Sequence, residues 1–195
     1  MNQTRNARRD QVVSAVLKLI GEHGMRGVTT AAVAREVGMS EANLYRHFKN
    51  KQEILSETIT RIGQELSNNV DTVVKSSAAP IDRLKNIFLL HLSYVGQNHG
   101  IPRLVFSDEL QSQNKEIKPR LLETISAYAQ LLEEIISEGQ KQGSFNVSLD
   151  LRATALTFIG MIQITILRWV LSDFTLAIED EGLILWKNFE SCLRA

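Results

Sequence analysis

Residues 41–48 place four hydrogen-bonding side chains, Asn43, Tyr45, Arg46 and His47, beside the small Ala42. These residue types suit nucleic acid. An arginine fork bonds O6 and N7 of guanine together, and an asparagine amide pairs in the same way with adenine. Tyrosine and histidine donate to phosphate. At about 100° per residue, Leu44 and Phe48 share one helix face and would anchor it. Ala42, Asn43 and Arg46 then stand opposite, toward a major groove, and small Ala42 permits close approach. Tyr45 and His47 fall on the flanks, at the phosphate walls. Glu41 has two readings. It could accept from a cytosine amino group, or it could simply complement the positive end of its helix, which is the plainer reading.

Such a segment needs a scaffold. Residues 6–23 carry Val12, Val13, Val16, Leu17, Leu19 and Ile20 at helical spacing, with Gly24 and Gly27 at the stop. Thr29 and Thr30 suit the start of a second helix, which Gly38 ends. Ser40 caps a third helix, expected over 41–48. Asn50 and Glu53 read as a capping box for a fourth, running from Lys51 to about Lys75. Helix N-termini attract phosphate, which makes Thr29, Thr30 and Lys51 expected backbone clamps. Three short helices with a glycine-bearing turn form a helix-turn-helix. Further helices are expected over 80–97, 101–111, 119–142, 150–171 and 180–193. The expected fold is all-α, with about nine helices: a three-helix head on a larger helical body.

The chain has 195 residues and no net charge, yet its charge is unevenly spread. Residues 1–51 hold nine Lys/Arg against four acids, leaving the remainder at −5. A basic head on an acidic body confines a polyanion contact to the head. The expected division is a DNA-binding domain at 1–51 and a ligand-binding and dimerisation domain at 52–195.

The run Thr30-Ala31-Ala32-Val33-Ala34-Arg35-Glu36-Val37-Gly38-Met39-Ser40, continued by Leu44-Tyr45-Arg46-His47-Phe48 and Lys51, resembles the TetR-family DNA-binding signature. Met39 stands where Val is usual, and Val16 where Ala is common; neither departure removes a contact. The resemblance implies DNA contacts from Thr30, Ser40, Glu41, Ala42, Asn43, Tyr45, Arg46, His47 and Lys51. Arg5, Arg8 and Arg9, in a polar arm ahead of the first helix, could add phosphate or minor-groove contacts or stay solvated. The resemblance also implies a homodimeric repressor on a near-palindromic, double-stranded operator, released by a small-molecule effector.

In the body, residues 150–171 are apolar almost all round, so this helix must be covered on more than one side. Phe158, Ile162 and Ile166, with Leu185, Trp186, Phe189 and Leu193 of the last helix, are the expected four-helix dimer interface. Phe88, His91, Tyr94, Phe106, Tyr128, Phe158, Met161 and Trp169 are the candidate pocket lining, which would suit an apolar or aromatic ligand with one polar handle. For each of them ordinary core packing is the plainer role.

No nucleotide loop, nucleophile elbow or metalloprotease motif is present, so neither an enzyme nor a cofactor is expected. Asp108-Glu109 and Glu133-Glu134 are adjacent acids and do not share a helix face. Cys192 alone excludes an internal disulfide. The polar, basic start does not read as a secretory signal, and Gln163, Thr165 and Arg168 interrupt the apolar helix. The expectation is therefore a cytoplasmic protein without a membrane span. The alternative is an architectural DNA binder of the same fold whose body contacts a protein partner.

Overall fold

The computed structural model describes residues 2–76, 78–111 and 117–194. Ten α-helices occur among them, with a 3-10 turn at Met25–Gly27 and no strand. They are α1 (Asn2–His23), α2 (Thr30–Glu36), α3 (Glu41–Leu44), α4 (Lys51–Val74), α5 (Pro80–Gly96), α6 (Gly100–Val105), α7 (Asp108–Gln111), α8 (Ile117–Lys141), α9 (Leu151–Leu171) and α10 (Ile178–Leu193). The tenth arises because the expected 101–111 segment breaks at Ser107. Its hydroxyl donates to the Leu104 carbonyl at 2.7 Å and accepts from Leu110 N at 3.4 Å, ending one helix and capping the next. The expected arm before α1 is itself helical from Asn2.

The chain forms two compact units. The first comprises residues up to 63 together with 98–124. Its core is Val12, Val16 and Ile20 of α1, Val33 and Ala34 of α2, Leu44 and Phe48, and Ile54, Leu55 and Ile59 of α4. α6 lies close against α1. A Cβ on Gly100 would run into the Leu17 backbone carbonyl, so only glycine permits this approach. Arg103 donates to the Gly21 carbonyl at 2.8 Å, satisfying an acceptor left open near the end of α1.

A charged lattice joins α1 to α4 within this unit. Arg9 reaches Glu57 at 3.1 Å and Glu53 at 3.7 Å, and Arg61 reaches Asp10 at 2.6 Å and Glu57 at 3.4 Å. The Arg9 guanidinium also lies 4.7 Å from the ring centroid of Phe48. Arg9, which the sequence leaves open between a DNA contact and a solvated arm, is a packing and pairing residue in this unit. Arg8 stays at the surface, donating to Gln11 at 2.8 Å.

The second unit comprises residues 64–97 with 125 onward. Its centre is aromatic. Phe88 and Phe158 meet edge-on at 5.6 Å, and Trp186 lies 5.8 Å from Phe88 and 5.9 Å from Phe189. Gly182 leaves room for Leu92 and Phe88, which a Cβ there would strike. α9 has the length and apolarity of a membrane span, but Thr154, Ala155, Phe158, Ile159, Ile162, Thr165, Ile166 and Trp169 are buried in this core.

Arg9→Ala removes the cation over Phe48 and one cationic partner of Glu53 and Glu57, while Arg61 still pairs with Glu57. The expected cost is about 1–2 kcal/mol, since the pairs are only partly buried. Thermal unfolding followed by circular dichroism should show a Tm lower by a few degrees.

Candidate nucleic-acid interface

Local chemistry builds the turn. The Thr29 hydroxyl accepts from Ala32 N at 3.1 Å and starts α2. α2 ends in a Schellman arrangement. Met39 N donates to the Ala34 carbonyl at 2.9 Å, and Gly38 N to the Arg35 carbonyl at 3.1 Å. Gly38 has φ +67°, a conformation that other residues rarely adopt. Ser40 then caps α3 by accepting from Asn43 N at 3.2 Å. Asn50 Oδ1 accepts from Glu53 N at 2.8 Å, and the Glu53 carboxylate reaches back to Lys49 N at 2.7 Å, which fixes the start of α4.

The recognition segment is shorter as an α-helix than expected. α3 ends at Leu44, and the chain tightens into i→i−3 bonds, Arg46 N to Asn43 O at 3.1 Å and His47 N to Leu44 O at 2.9 Å. The anchors are unaffected: Leu44 and Phe48 are fully enclosed. Glu41, Ala42, Tyr45 and Arg46 are exposed, as are Thr29 and Ser40. Thr30, Asn43, His47 and Lys51 are half-buried, so Asn43 is less open than a uniform helical wheel implies. The Nδ1 of His47 is enclosed without a hydrogen-bond partner. Thr30 Oγ1 donates to Glu41 at 2.9 Å and accepts from the Tyr45 hydroxyl at 3.4 Å.

This geometry has known relatives. Residues 12–58 match the model for bacterial regulatory proteins of the tetR family, and residues 57–182 match that for the C-terminal region of YsiA-like proteins. The chain belongs to the TetR family. The nucleoid occlusion factor SlmA of Marinomonas sp. is 28% identical over 174 residues, covering 89% of this chain and 88% of that one. The fatty acid metabolism regulator protein of Bacillus subtilis is 25% identical over 163 residues, 84% of each chain. Among solved structures, the transcriptional regulator FadR of B. subtilis in complex with stearoyl-CoA superposes with a TM-score of 0.82 at 23% identity, over 94% of this chain and 98% of that one. FadR of Bacillus halodurans, a fatty acid degradation regulator, does so at 0.81 and 21%, over 96% and 95%. At these identities the superpositions speak for the fold. This TetR-family chain is a DNA-binding transcriptional regulator.

The residues expected to line a pocket part company. Phe88 and Phe158 are core, locked in the aromatic cluster. Trp169 is buried edge-on to Phe174 at 4.7 Å. Phe106 is half-buried in the first unit, whereas the others belong to the second. Met161 and Tyr94 are half-buried, and burial, helped by Glu65, pushes the Tyr94 hydroxyl up to about 12. His91 and Tyr128 form a buried polar pair, Nδ1 to Oη 3.2 Å apart. Burial lowers His91 to about 4 and raises Tyr128.

The expected dimer stripe is corrected. Phe158, Ile162, Ile166, Trp186, Phe189 and Leu193 all point into the protomer's own core, and Leu185 is half-buried. The exposed apolar face of α9 is the opposite one: Leu156, Ile164, Leu167 and Leu171, with Gly160 open among them and Ile184 exposed on α10. The spacing 156, 160, 164, 167, 171 was readable as a second stripe. Sequence alone offered no means of telling which stripe faces inward.

A pH prediction follows from His91. Its folded pKa lies below the unfolded value, so the unfolded chain takes up a proton that the folded chain refuses. Stability should fall as pH drops from about 6.5 toward 4, by up to about 3 kcal/mol from this group. Urea unfolding at intervals between pH 7 and 4 checks this. His91→Gln, which has no proton to gain, should lose that part of the slope.

Proposed function

We propose that the protein is a cytoplasmic, non-catalytic, homodimeric repressor. Two copies of residues 29–51 would grip a near-palindromic operator, and residues 52–195 would dimerise and receive a small apolar effector. The observation that carries the DNA reading is the exposed Ala42, Tyr45 and Arg46 surface over the enclosed Leu44 and Phe48 anchor. A dimer would set two such surfaces about one DNA turn, or a small multiple, apart.

The effector class we favour is a long-chain acyl thioester. A fold neighbour is described in complex with stearoyl-CoA, and a relative covering most of this chain is a fatty acid metabolism regulator. The second unit also carries the buried His91 and Tyr128 pair inside an apolar interior, a suitable partner for one polar handle. Release requires that the effector bind the DNA-incompetent state more tightly.

The test is fluorescence anisotropy on the duplex that the protein enriches from a random pool, beside a scrambled duplex. Arg46→Ala should cost about tenfold or more on the enriched duplex only, as loss of a bidentate base contact does. Lys51→Ala should weaken both duplexes alike. Equal losses on both for Arg46→Ala would remove the base-reading role. Adding stearoyl-CoA should release the enriched duplex and raise Tm, and coenzyme A alone should do neither.

For the dimer, the exposed α9 face is the support. Ile164→Arg should shift sedimentation at micromolar concentration from dimer to monomer. A wild-type protein that sediments as a monomer would end the homodimer reading.

A second reading has its own support. The relative at 28% identity is a nucleoid occlusion factor. A DNA-bound protein whose body engages a protein partner would show many scattered chromosomal sites and no response to stearoyl-CoA. A repressor would show few, promoter-proximal sites.

A further inference from the structure

The recognition surface contains a short, exposed hydrogen-bond chain. The Tyr45 hydroxyl donates to Thr30 Oγ1 at 3.4 Å, and Thr30 Oγ1 donates to Glu41 Oε2 at 2.9 Å. A hydroxyl has one proton to give. In the free head, the Tyr45 and Thr30 protons are therefore both engaged within the chain, although the sequence places these two residues at the phosphate backbone. The carboxylate that ends the chain is exposed, so its negative charge lies beside the same donors.

We propose that Glu41 sets operator selectivity by withholding the Thr30 and Tyr45 protons from non-cognate DNA. An arriving phosphate is an acceptor. To be bonded by Thr30 it must displace the Glu41 carboxylate, and until it does so it meets a like charge. That penalty is the same on every sequence. A displaced carboxylate cannot donate, and in the major groove it is matched only by an exposed amino group, such as cytosine N4. The cost is therefore offset on sequences that present such a group to residue 41, and stands uncompensated on the rest. Glu41 is in this sense a specificity residue that acts by exclusion as well as by contact.

The proposal rests on the DNA-binding reading, which fails separately if the unaltered protein binds neither duplex. Its test uses the full chain with Glu41→Gln and Glu41→Ala, on the enriched and scrambled duplexes, at low and at moderate salt. Glu41→Ala should tighten binding to the scrambled duplex by about three- to tenfold and reduce the enriched-to-scrambled affinity ratio. Glu41→Gln removes the charge but can still accept from Thr30, and should give a smaller change in the same direction. The gain should shrink as salt rises, since screening weakens the repulsion being relieved. Circular dichroism confirms that each variant folds, and Ser40, which caps α3, is left intact. Scrambled-duplex affinity that stays level or falls in both variants would overturn the proposal, as would an unchanged or higher ratio.

Discussion

The recognition segment is too short to be helical by itself, and whatever it shows to DNA depends on two side chains held beneath it. One α-helical turn, Glu41–Leu44, is followed by tighter i→i−3 bonds at Arg46 and His47. A helix of this length pays the nucleation cost without the propagation that would recover it. Its shape comes from Leu44 and Phe48, sunk in the head's core, with the Arg9 cation lying against the Phe48 ring. Arg9 in turn is held by Glu53 and Glu57 of α4. The head's one exposed reading surface therefore rests on a chain of contacts that runs α1 to α4 to Phe48.

The same economy of donors governs the surface itself. Thr29 and Ser40 use their side chains for capping, Tyr45 donates to Thr30, and Thr30 donates to Glu41. Arg46, by contrast, is exposed. The body follows a different logic. Its aromatic cluster takes up Phe88 and Phe158 from the expected pocket lining, and His91 and Tyr128 form a polar pair within that apolar interior. Buried polar groups are costly unless paired. Here each supplies the other's partner.

Much of this was legible in the residues. Capping chemistry is local: Thr29, Ser40 and Asn50 act within three residues of themselves, and all three begin helices where their side chains imply. Gly38 and the Leu44/Phe48 anchor follow from backbone sterics and helical spacing. The C-terminal break at Ser107 was missed because a serine at a helix end looks like any polar residue until its two hydrogen bonds are seen. In the sequence Arg9 is open between a phosphate contact and a solvated arm, because nothing within a few residues reveals partners 39 to 48 positions away.

Sequence by itself determined the class of fold, the position of the turn and the residue types offered to DNA, because these depend on neighbours within one or two helical turns. Only tertiary structure decided which stripe of α9 is core and which is left open. Both stripes are apolar and both recur at helical spacing, and burial depends on which one meets Phe88 and Trp186. It likewise decided that Glu41 bonds Thr30, eleven residues away, since that contact exists only when the turn at Gly38 brings α2 and α3 together.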